Sequence, residues 1–245
     1  MKRKYEITDI QPPDNPKLFR IRALRDITKY NIKAGDLGGY IEKESNLSQT
    51  DDCWIRMDAQ VFGNARVYGD AVVFGDAHIF GNAQIYGTGR VFDNAQIYDN
   101  ARVFDHAQVY GNAQVYGNAQ AFGDALLYCN AQVLDNARIY GISGVTGNAR
   151  IYGEAKVHGR GCVYGGAQVY AYAQVCGDAW VTGDTILNEE MLICGKCIII
   201  NTTSQIYYAD GVTACFDENK ELIVNRTSPD VEFEHHKMLA MLKLL

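Results

Sequence analysis

The chain contains little proline, no long run of apolar residues and no excess of positive charge. Its 245 residues include four prolines, and its net charge is −6 at pH 7. No apolar run approaches the roughly 20 residues that span a bilayer, and no basic segment precedes an apolar stretch near residue 1. These absences argue against a proline-rich disordered chain, a membrane protein and a protein that attracts nucleic acid through its overall charge. We expect a soluble, cytoplasmic protein.

Seven cysteines are scattered along the chain, without the dense spacing of a small secreted disulfide scaffold. We therefore expect reduced thiols. The pair Cys194 and Cys197 has the spacing of half a zinc site, but the repeat described next directs one side chain outward and the other inward. The sequence contains no second pair of this spacing, so we expect no metal site.

A six-residue repeat starts at Ile55 and keeps its register to about Ser204, which gives 25 hexads. The first position is aliphatic in 24 of the 25, with Ala121 as the exception. The residue two places earlier is alanine in 18 of the 25. Alternate side chains of a strand share a face, so each alanine points the same way as the aliphatic residue that follows. Both positions are expected to face a common interior.

Between successive strands lie Gly-Asn, Gly-Asp or Asp-Asn pairs, which tolerate the left-handed backbone of a tight corner. Three strands and three corners close a triangular coil of 18 residues. This pattern predicts an all-β fold: a left-handed parallel β-helix of the hexapeptide-repeat type, about eight coils long, with coils stacked at the sheet spacing of about 4.8 Å.

The two ends depart from the repeat and predict three regions: an N-terminal cap or lead-in (1–50), the β-helix (51–204), and a C-terminal hairpin and helix (205–245). Residues 18–24 predict a strand, 35–39 a sharp bend and 213–224 a hairpin. Ile41 and Leu47 predict a lead-in coil with an insertion. A helix is expected from Ser228 onward. Both ends are expected to cover the edges of the solenoid.

Three stretches near the start carry a resemblance to a known family: KAGDLGGYI at 33–41, NLSQ at 46–49 and CWI at 53–55. Together with the hexads, they resemble the head of YdcK-like hexapeptide-repeat proteins of bacteria and prophages. The resemblance implies a left-handed β-helix and a bacterial or phage origin. It carries little information about function.

Every third strand shares a face of the triangular coil, and the residue after the aliphatic position is aromatic in 16 of the 25 hexads. The first face, which starts at Trp54, is apolar; the second carries mostly glutamine; the third is basic. We expect self-association, as a homotrimer, through the first face and the terminal helix. The interface candidates are Trp54, Val72, Phe74, Phe92, Tyr110, Leu126, Tyr128, Trp180, Met238, Leu242 and Leu245.

The third face combines basic and aromatic side chains and is the candidate binding site for a host protein or a small anionic ligand. Its candidate residues are Arg66, Tyr68, Arg102, Phe104, Arg138, Tyr140 and Lys156. Such a surface can also bind nucleic acid. Because several corner aspartates surround it, we do not expect nucleic acid as the partner.

The histidines His78, His106 and His158 are too far apart in the repeat to form a catalytic or zinc-binding group. We therefore expect no catalytic residue and no cofactor. The sequence favours a non-catalytic, oligomeric binding or scaffold protein of phage or prophage origin, for example an accessory inhibitor of a host factor. The alternative is a coenzyme A-dependent acyltransferase of the hexapeptide-repeat superfamily.

Overall fold

The structure, a computed structural model, describes residues 3–188, 191–195, 197–200, 206–208, 212–216 and 222–226. It is an all-β parallel solenoid of about nine turns, built from three sheets. The predicted all-β solenoid fold is confirmed, and so is the assignment of every third strand to a common face.

Each face is a stack of short parallel strands, one from each turn. The first face contains Trp54–Ile55, Val72–Val73, Arg90–Val91, Gln108–Val109, Leu126–Leu127, Gly144–Val145, Cys162–Val163, Trp180–Thr182 and Cys197–Ile200. The second contains Leu37–Ile41, Gln60–Val61, His78–Ile79, Gln96–Ile97, Gln114–Val115, Gln132–Val133, Arg150–Ile151, Gln168–Val169 and Ile186–Leu187. The third contains Arg66–Val67, Gln84–Ile85, Arg102–Val103, Gln120–Ala121, Arg138–Ile139, Lys156–Val157, Gln174–Val175 and Leu192–Ile193.

The interior is formed by the two positions of each hexad that the sequence assigned to it. From Ile55 to Ile199, every residue at the first hexad position is at most 5% exposed. The alanines two places earlier are fully buried. Branched Val and Ile fill the centre of each strand, whereas small Ala fits beside the corner, where the backbone turns inward. The alternation of large and small side chains thus determines the width of the coil.

The corners have the left-handed backbone that the Gly-Asn and Asp-Asn pairs predict. Asp99 has φ 55° and Asp135 has φ 56°. Each of these carboxylates accepts a hydrogen bond from the backbone N–H of the glycine one turn above, as in Asp99 Oδ2 to Gly117 N at 3.1 Å. A non-glycine residue is strained in this conformation, and the added hydrogen bond offsets part of that cost.

A ladder of asparagine side chains runs along the corner that follows the second face. Each side-chain amide donates to the side-chain oxygen one turn above, at 2.6–3.2 Å, from Asn64 to Glu154. Identical residues in register therefore satisfy one another's polar groups, which explains why asparagine recurs every 18 residues at this corner.

The N-terminal cap adds two antiparallel strands, Tyr5–Ile7 and Phe19–Ala23, to the edge of the second face, with 3₁₀ turns at Thr28–Tyr30 and Glu44–Asn46. The strand predicted at 18–24 is confirmed. The bend predicted at 35–39 is wrong beyond Asp36, because 37–41 form a strand. Positions 38 and 39 of that strand require glycine, because a Cβ on either residue would come within 2.7 Å of a backbone oxygen.

The predicted lead-in coil with an insertion is confirmed. Ile41 aligns with Val61 and Leu47 with Val67, both 20 residues apart, whereas Ile55 aligns with Val73 at the regular 18. The two extra residues lie before Ile55, and the coil still directs Ile41 and Leu47 into the interior.

Two fully buried side chains, Lys4 and Tyr5, join the cap to the first coil. The Lys4 ammonium donates to the carbonyl oxygens of Asp51 and Cys53, both at 2.8 Å, and burial lowers its pKa. The Tyr5 hydroxyl lies 2.8 Å from the carbonyl oxygen of Leu47, and its ring packs edge-on against Trp54. The cap therefore covers the start of the first face.

Replacing Tyr5 with Phe is expected to weaken the cap and to alter its response to alkali. Loss of the hydroxyl leaves buried carbonyls without a donor, at a cost of about 1–2 kcal/mol in the free energy of unfolding. Burial raises the pKa of Tyr5 above its ordinary value. The stabilisation by its phenol is therefore complete below about pH 10, the pKa of the group in the unfolded chain. It declines as the pH rises from there towards the higher pKa of the folded protein.

Thermal melts at pH 8 and pH 11 measure this difference. The Tm of the wild type should fall more between the two pH values than that of Tyr5→Phe. An equal fall in both proteins would contradict the role given to the Tyr5 hydroxyl.

At the C-terminal end, the sheet of the first face continues through three antiparallel strands, Ile206–Tyr208, Val212–Phe216 and Leu222–Arg226. The last two pair with each other, within the stretch where the sequence predicts a hairpin. The helix predicted from Ser228 lies outside the described residues.

Candidate functional site

The basic residues predicted to share the third face lie in one sheet and in register. Arg102 aligns with Gln84 below it and with Gln120 above it, and Arg138 aligns with Lys156. Arg66, Arg102 and Arg138 are all exposed. The third face thus presents one outward residue per turn before the aliphatic position, with arginine and glutamine alternating from Arg66 to Arg138.

Beside these residues runs a ladder of six stacked rings, at the position after the aliphatic residue. Successive rings are 4.8–4.9 Å apart and within 6° of parallel. The ladder consists of Tyr68, Tyr86, Phe104, Phe122, Tyr140 and His158. His158 is a member of this ladder, as its place in the hexad indicates, and is not a separate surface histidine.

The stacking limits what these aromatic side chains can bind. The faces of the inner rings, such as Phe104 and Phe122, are covered by the rings above and below. A nucleic-acid base or a sugar that binds by lying flat on a ring needs one face of that ring to be free. The inner rings therefore offer only their edges and, in the tyrosines, their hydroxyl groups.

The basic side chains of the third face take part in no ion pair among the described residues. The salt bridges found there involve other cations, most of them in the N-terminal cap. The Arg66 guanidinium lies 5.7 Å from the centre of the Tyr68 ring. Burial raises the pKa of Tyr68, and the positive charges of Arg66 and Arg102 oppose that rise.

The aspartates at the corners beside the third face are engaged elsewhere. The carboxylates of Asp99, Asp105 and Asp135 accept backbone N–H groups of the next turn at 3.0–3.3 Å. Asp70 pairs with Lys29 of the cap at 2.8 Å. These contacts hold the four carboxylates at the corners, and none of them pairs with a third-face arginine.

The first face is less continuous than the sequence suggests. Trp54 is 0% exposed and Val72 is 7% exposed because the N-terminal cap covers them, so Trp54 is not a surface residue as predicted. Above them, Phe74, Phe92, Tyr110 and Tyr128 form a stacked ladder. Leu126 is 38% exposed and remains part of the outer surface.

Trp180, the last described interface candidate, is half-buried and packs edge-on against Tyr164. Three further interface candidates, Met238, Leu242 and Leu245, lie outside the described residues.

The three histidines lie apart, as the repeat predicts. His106 is at a corner, with its Nδ1 2.5 Å from the Thr88 hydroxyl. His78 lines a shallow cavity of about 290 Å³ between the second face and the N-terminal segment, which the sequence analysis missed. Two further polar residues of this cavity are already engaged: Gln60 donates to Asp14, and Asp58 pairs with Arg20.

The expectation of reduced thiols is wrong at one position. Cys176 and Cys194 form a disulfide across adjacent third-face strands, with Cα atoms 4.6 Å apart. They occupy the two turns above His158, at the same hexad position as the ring ladder. Among the described residues, Cys53, Cys129 and Cys162 are free. No group of three or more His, Cys, Asp or Glu side chains in this part of the chain is arranged to hold a metal ion.

These features define the class: a parallel β-solenoid with ladders of stacked side chains on its faces. A family model described as YdcK beta solenoid repeat matches residues 59–75, 95–106 and 107–123. In these segments the chain is similar to the YdcK solenoid repeat. No curated protein matches it. Within the described residues, no helix is long and apolar enough to cross a membrane.

Proposed function

We propose that this protein is a non-catalytic β-solenoid scaffold that binds an anionic partner along its third face. The observation that carries the proposal is a row of exposed arginines without a carboxylate partner, beside a continuous aromatic ladder. In a chain with a net charge of −6, such a row is a local departure from the overall charge.

The third face suits an extended partner better than a point ligand. A single exposed ion pair contributes about 0.2–1 kcal/mol, which does not bind a ligand tightly. Arg66, Arg102, Arg138 and Lys156 lie on the strands of one sheet, so a partner has to order only their side chains and not the backbone. Four such pairs contribute at most about 4 kcal/mol, which corresponds to a Kd of about 1 mM, so tighter binding requires further contacts with the ring edges.

We also propose that the protein self-associates through the first face, as a homotrimer. Support comes from the exposed Leu126 and the ring ladder from Phe74 to Tyr128, which together form an apolar stripe above the cap. Light scattering should return three times the monomer mass of 27.2 kDa. A monomer mass would remove this part of the proposal.

On the resemblance to prophage proteins, we propose that the partner is a host protein or a small anionic molecule. The solenoid would neutralise this partner by binding it. Affinity capture from bacterial lysate, with the wild type and a third-face variant as paired baits, tests this. A partner captured equally by both baits would contradict it.

The third face can be tested with two matched double variants. Arg66→Gln/Arg138→Gln removes two charges from the third face and introduces the residue that already alternates with the arginines there. Arg90→Gln/Arg150→Gln removes two exposed charges from the other faces, and Arg150 lies over Tyr152 as Arg66 lies over Tyr68. Titration with poly-L-glutamate at low salt should show at least tenfold weaker binding for the first variant and less than twofold change for the second.

Equal losses in the two variants would show that only net charge matters and would contradict the proposal. A parallel titration with acetyl-coenzyme A tests the acyltransferase alternative. Clear micromolar binding of acetyl-coenzyme A would overturn the non-catalytic assignment.

A further inference from the structure

The arginines of the third face recur with a fixed axial spacing. Arg66, Arg102 and Arg138 occupy every second turn, with Gln84 and Gln120 between them. The stacked rings beside them advance 4.8–4.9 Å per turn. Successive arginine positions are therefore about 9.7 Å apart along the solenoid axis, close to two sheet spacings.

The arginine-glutamine row and the ring ladder form one continuous surface along the axis, because the Arg66 guanidinium lies over the Tyr68 ring and the Tyr68 hydroxyl hydrogen-bonds to Gln84. The two rows are two residues apart in each strand, so they are roughly 7 Å apart. Between them each strand turns an aliphatic residue, such as Val103, inward. An extended chain lying on this surface can contact both rows along its length.

The third face offers hydrogen-bond donors to a bound chain. The guanidinium groups favour carboxylates. The Tyr68 hydroxyl donates to Oε1 of Gln84 at 3.2 Å, which leaves the amide nitrogen of Gln84 to donate to another acceptor. The occupant that fits these groups has carboxylates at the arginines and free backbone carbonyl oxygens at the glutamines.

The spacing selects the conformation of that chain. In a β-strand, side chains on one side repeat at about 6.7 Å, and every seventh residue of an α-helix repeats at about 10.5 Å. In a polyproline II helix, every third residue lies on the same side and repeats at about 9.3 Å, and its backbone carbonyls have no internal partners. The polyproline II repeat is closest to the arginine spacing.

We propose that the third face binds an acidic polyproline II segment with a carboxylate at every third residue, lying along the solenoid axis. This inference rests on the proposed function of the third face and specifies the chemistry of its partner. Carboxylates meet Arg66, Arg102 and Arg138 in turn, while the glutamines between them donate to the peptide backbone.

Two peptides of equal composition, each about fifteen residues of Glu and Pro, test the inference. In one, Glu occupies every third position; in the control, the Glu spacing alternates between two and four. Fluorescence anisotropy should show at least tenfold tighter binding of the regular peptide to the wild type. Arg66→Gln/Arg138→Gln should abolish that preference, and Arg90→Gln/Arg150→Gln should retain it.

The outcomes separate this inference from the function on which it rests. If poly-L-glutamate binding depends on Arg66 and Arg138 but the two peptides bind equally, the polyproline II inference fails and the third-face function stands. If neither peptide nor poly-L-glutamate binds, both fail. Tighter third-face binding of a helical peptide with Glu at every seventh residue, or of oligothymidylate, would also overturn the inference.

Discussion

Val115→Asp is expected to destabilise the solenoid by about 4 kcal/mol or more, whereas Gln114→Asp on the same strand should cost less than about 1 kcal/mol. Val115 is 0% exposed and aligns with Ile97 and Val133 in the turns below and above. A carboxylate there has apolar neighbours on its own face and no hydrogen-bond donor in its side-chain environment. Gln114, one residue away, faces outward and is half-exposed.

The two variants introduce the same residue at adjacent positions of one strand, so the local sequence context is matched. Guanidinium unfolding followed by circular dichroism measures both. Because each coil of a solenoid contacts only its neighbours, the loss in Val115→Asp should appear as early unfolding of part of the rod. Equal effects of the two substitutions would contradict the assignment of Val115 to the interior.

Gly117→Ala is the second prediction with a large effect, with an expected loss of about 2 kcal/mol or more. Gly117 has φ 67°, and a Cβ built on it would lie 2.8 Å from the backbone nitrogen of Asp135 in the next turn. That neighbour is backbone and cannot move without shifting the coil above. Both the left-handed conformation and the close contact therefore oppose a side chain at this position.

Gly144→Ala is the matched control for Gly117→Ala. Gly144 lies in a strand, does not have a positive φ, and a Cβ there would meet only Sγ of Cys162 at 3.5 Å, an ordinary contact. Alanine should be neutral or stabilise by up to about 1 kcal/mol. Urea unfolding midpoints of the two variants measure the difference. Similar midpoints would show that the corner does not constrain Gly117 as the structure indicates.

Much of the fold follows from the sequence because the hexad is a local code repeated without interruption. The position of Val103 in its hexad predicts its burial, and the position of Phe104 predicts a place in an outer ladder. Each turn repeats the same contacts, so the register of one coil determines that of the next. The members of the third face could be assigned from spacing alone for the same reason.

The burial of Trp54 depends on contacts outside the repeat, whereas the disulfide and the closure of the ring faces, which the sequence also did not predict, lie within it. Trp54 has the hexad position of a surface residue, but the cap folds back over it through Tyr5, more than 45 residues earlier in the chain. The Cys176–Cys194 disulfide depends on the lateral alignment of two turns. Only the parallel orientation of Phe104 and its neighbours shows that their ring faces are closed to ligands.

The central claim is that residues 18 apart stack along one straight axis, so that the third-face arginines form a row of regular spacing. Double electron–electron resonance between nitroxides at positions 66 and 156 tests it most directly. Attachment through p-acetylphenylalanine avoids the native thiols. These positions are 90 residues and five turns apart, and the account predicts a narrow distance distribution near 24 Å, five times the spacing of stacked strands. A broad distribution, or one centred well beyond 35 Å, would contradict the common axis and with it the proposed binding face.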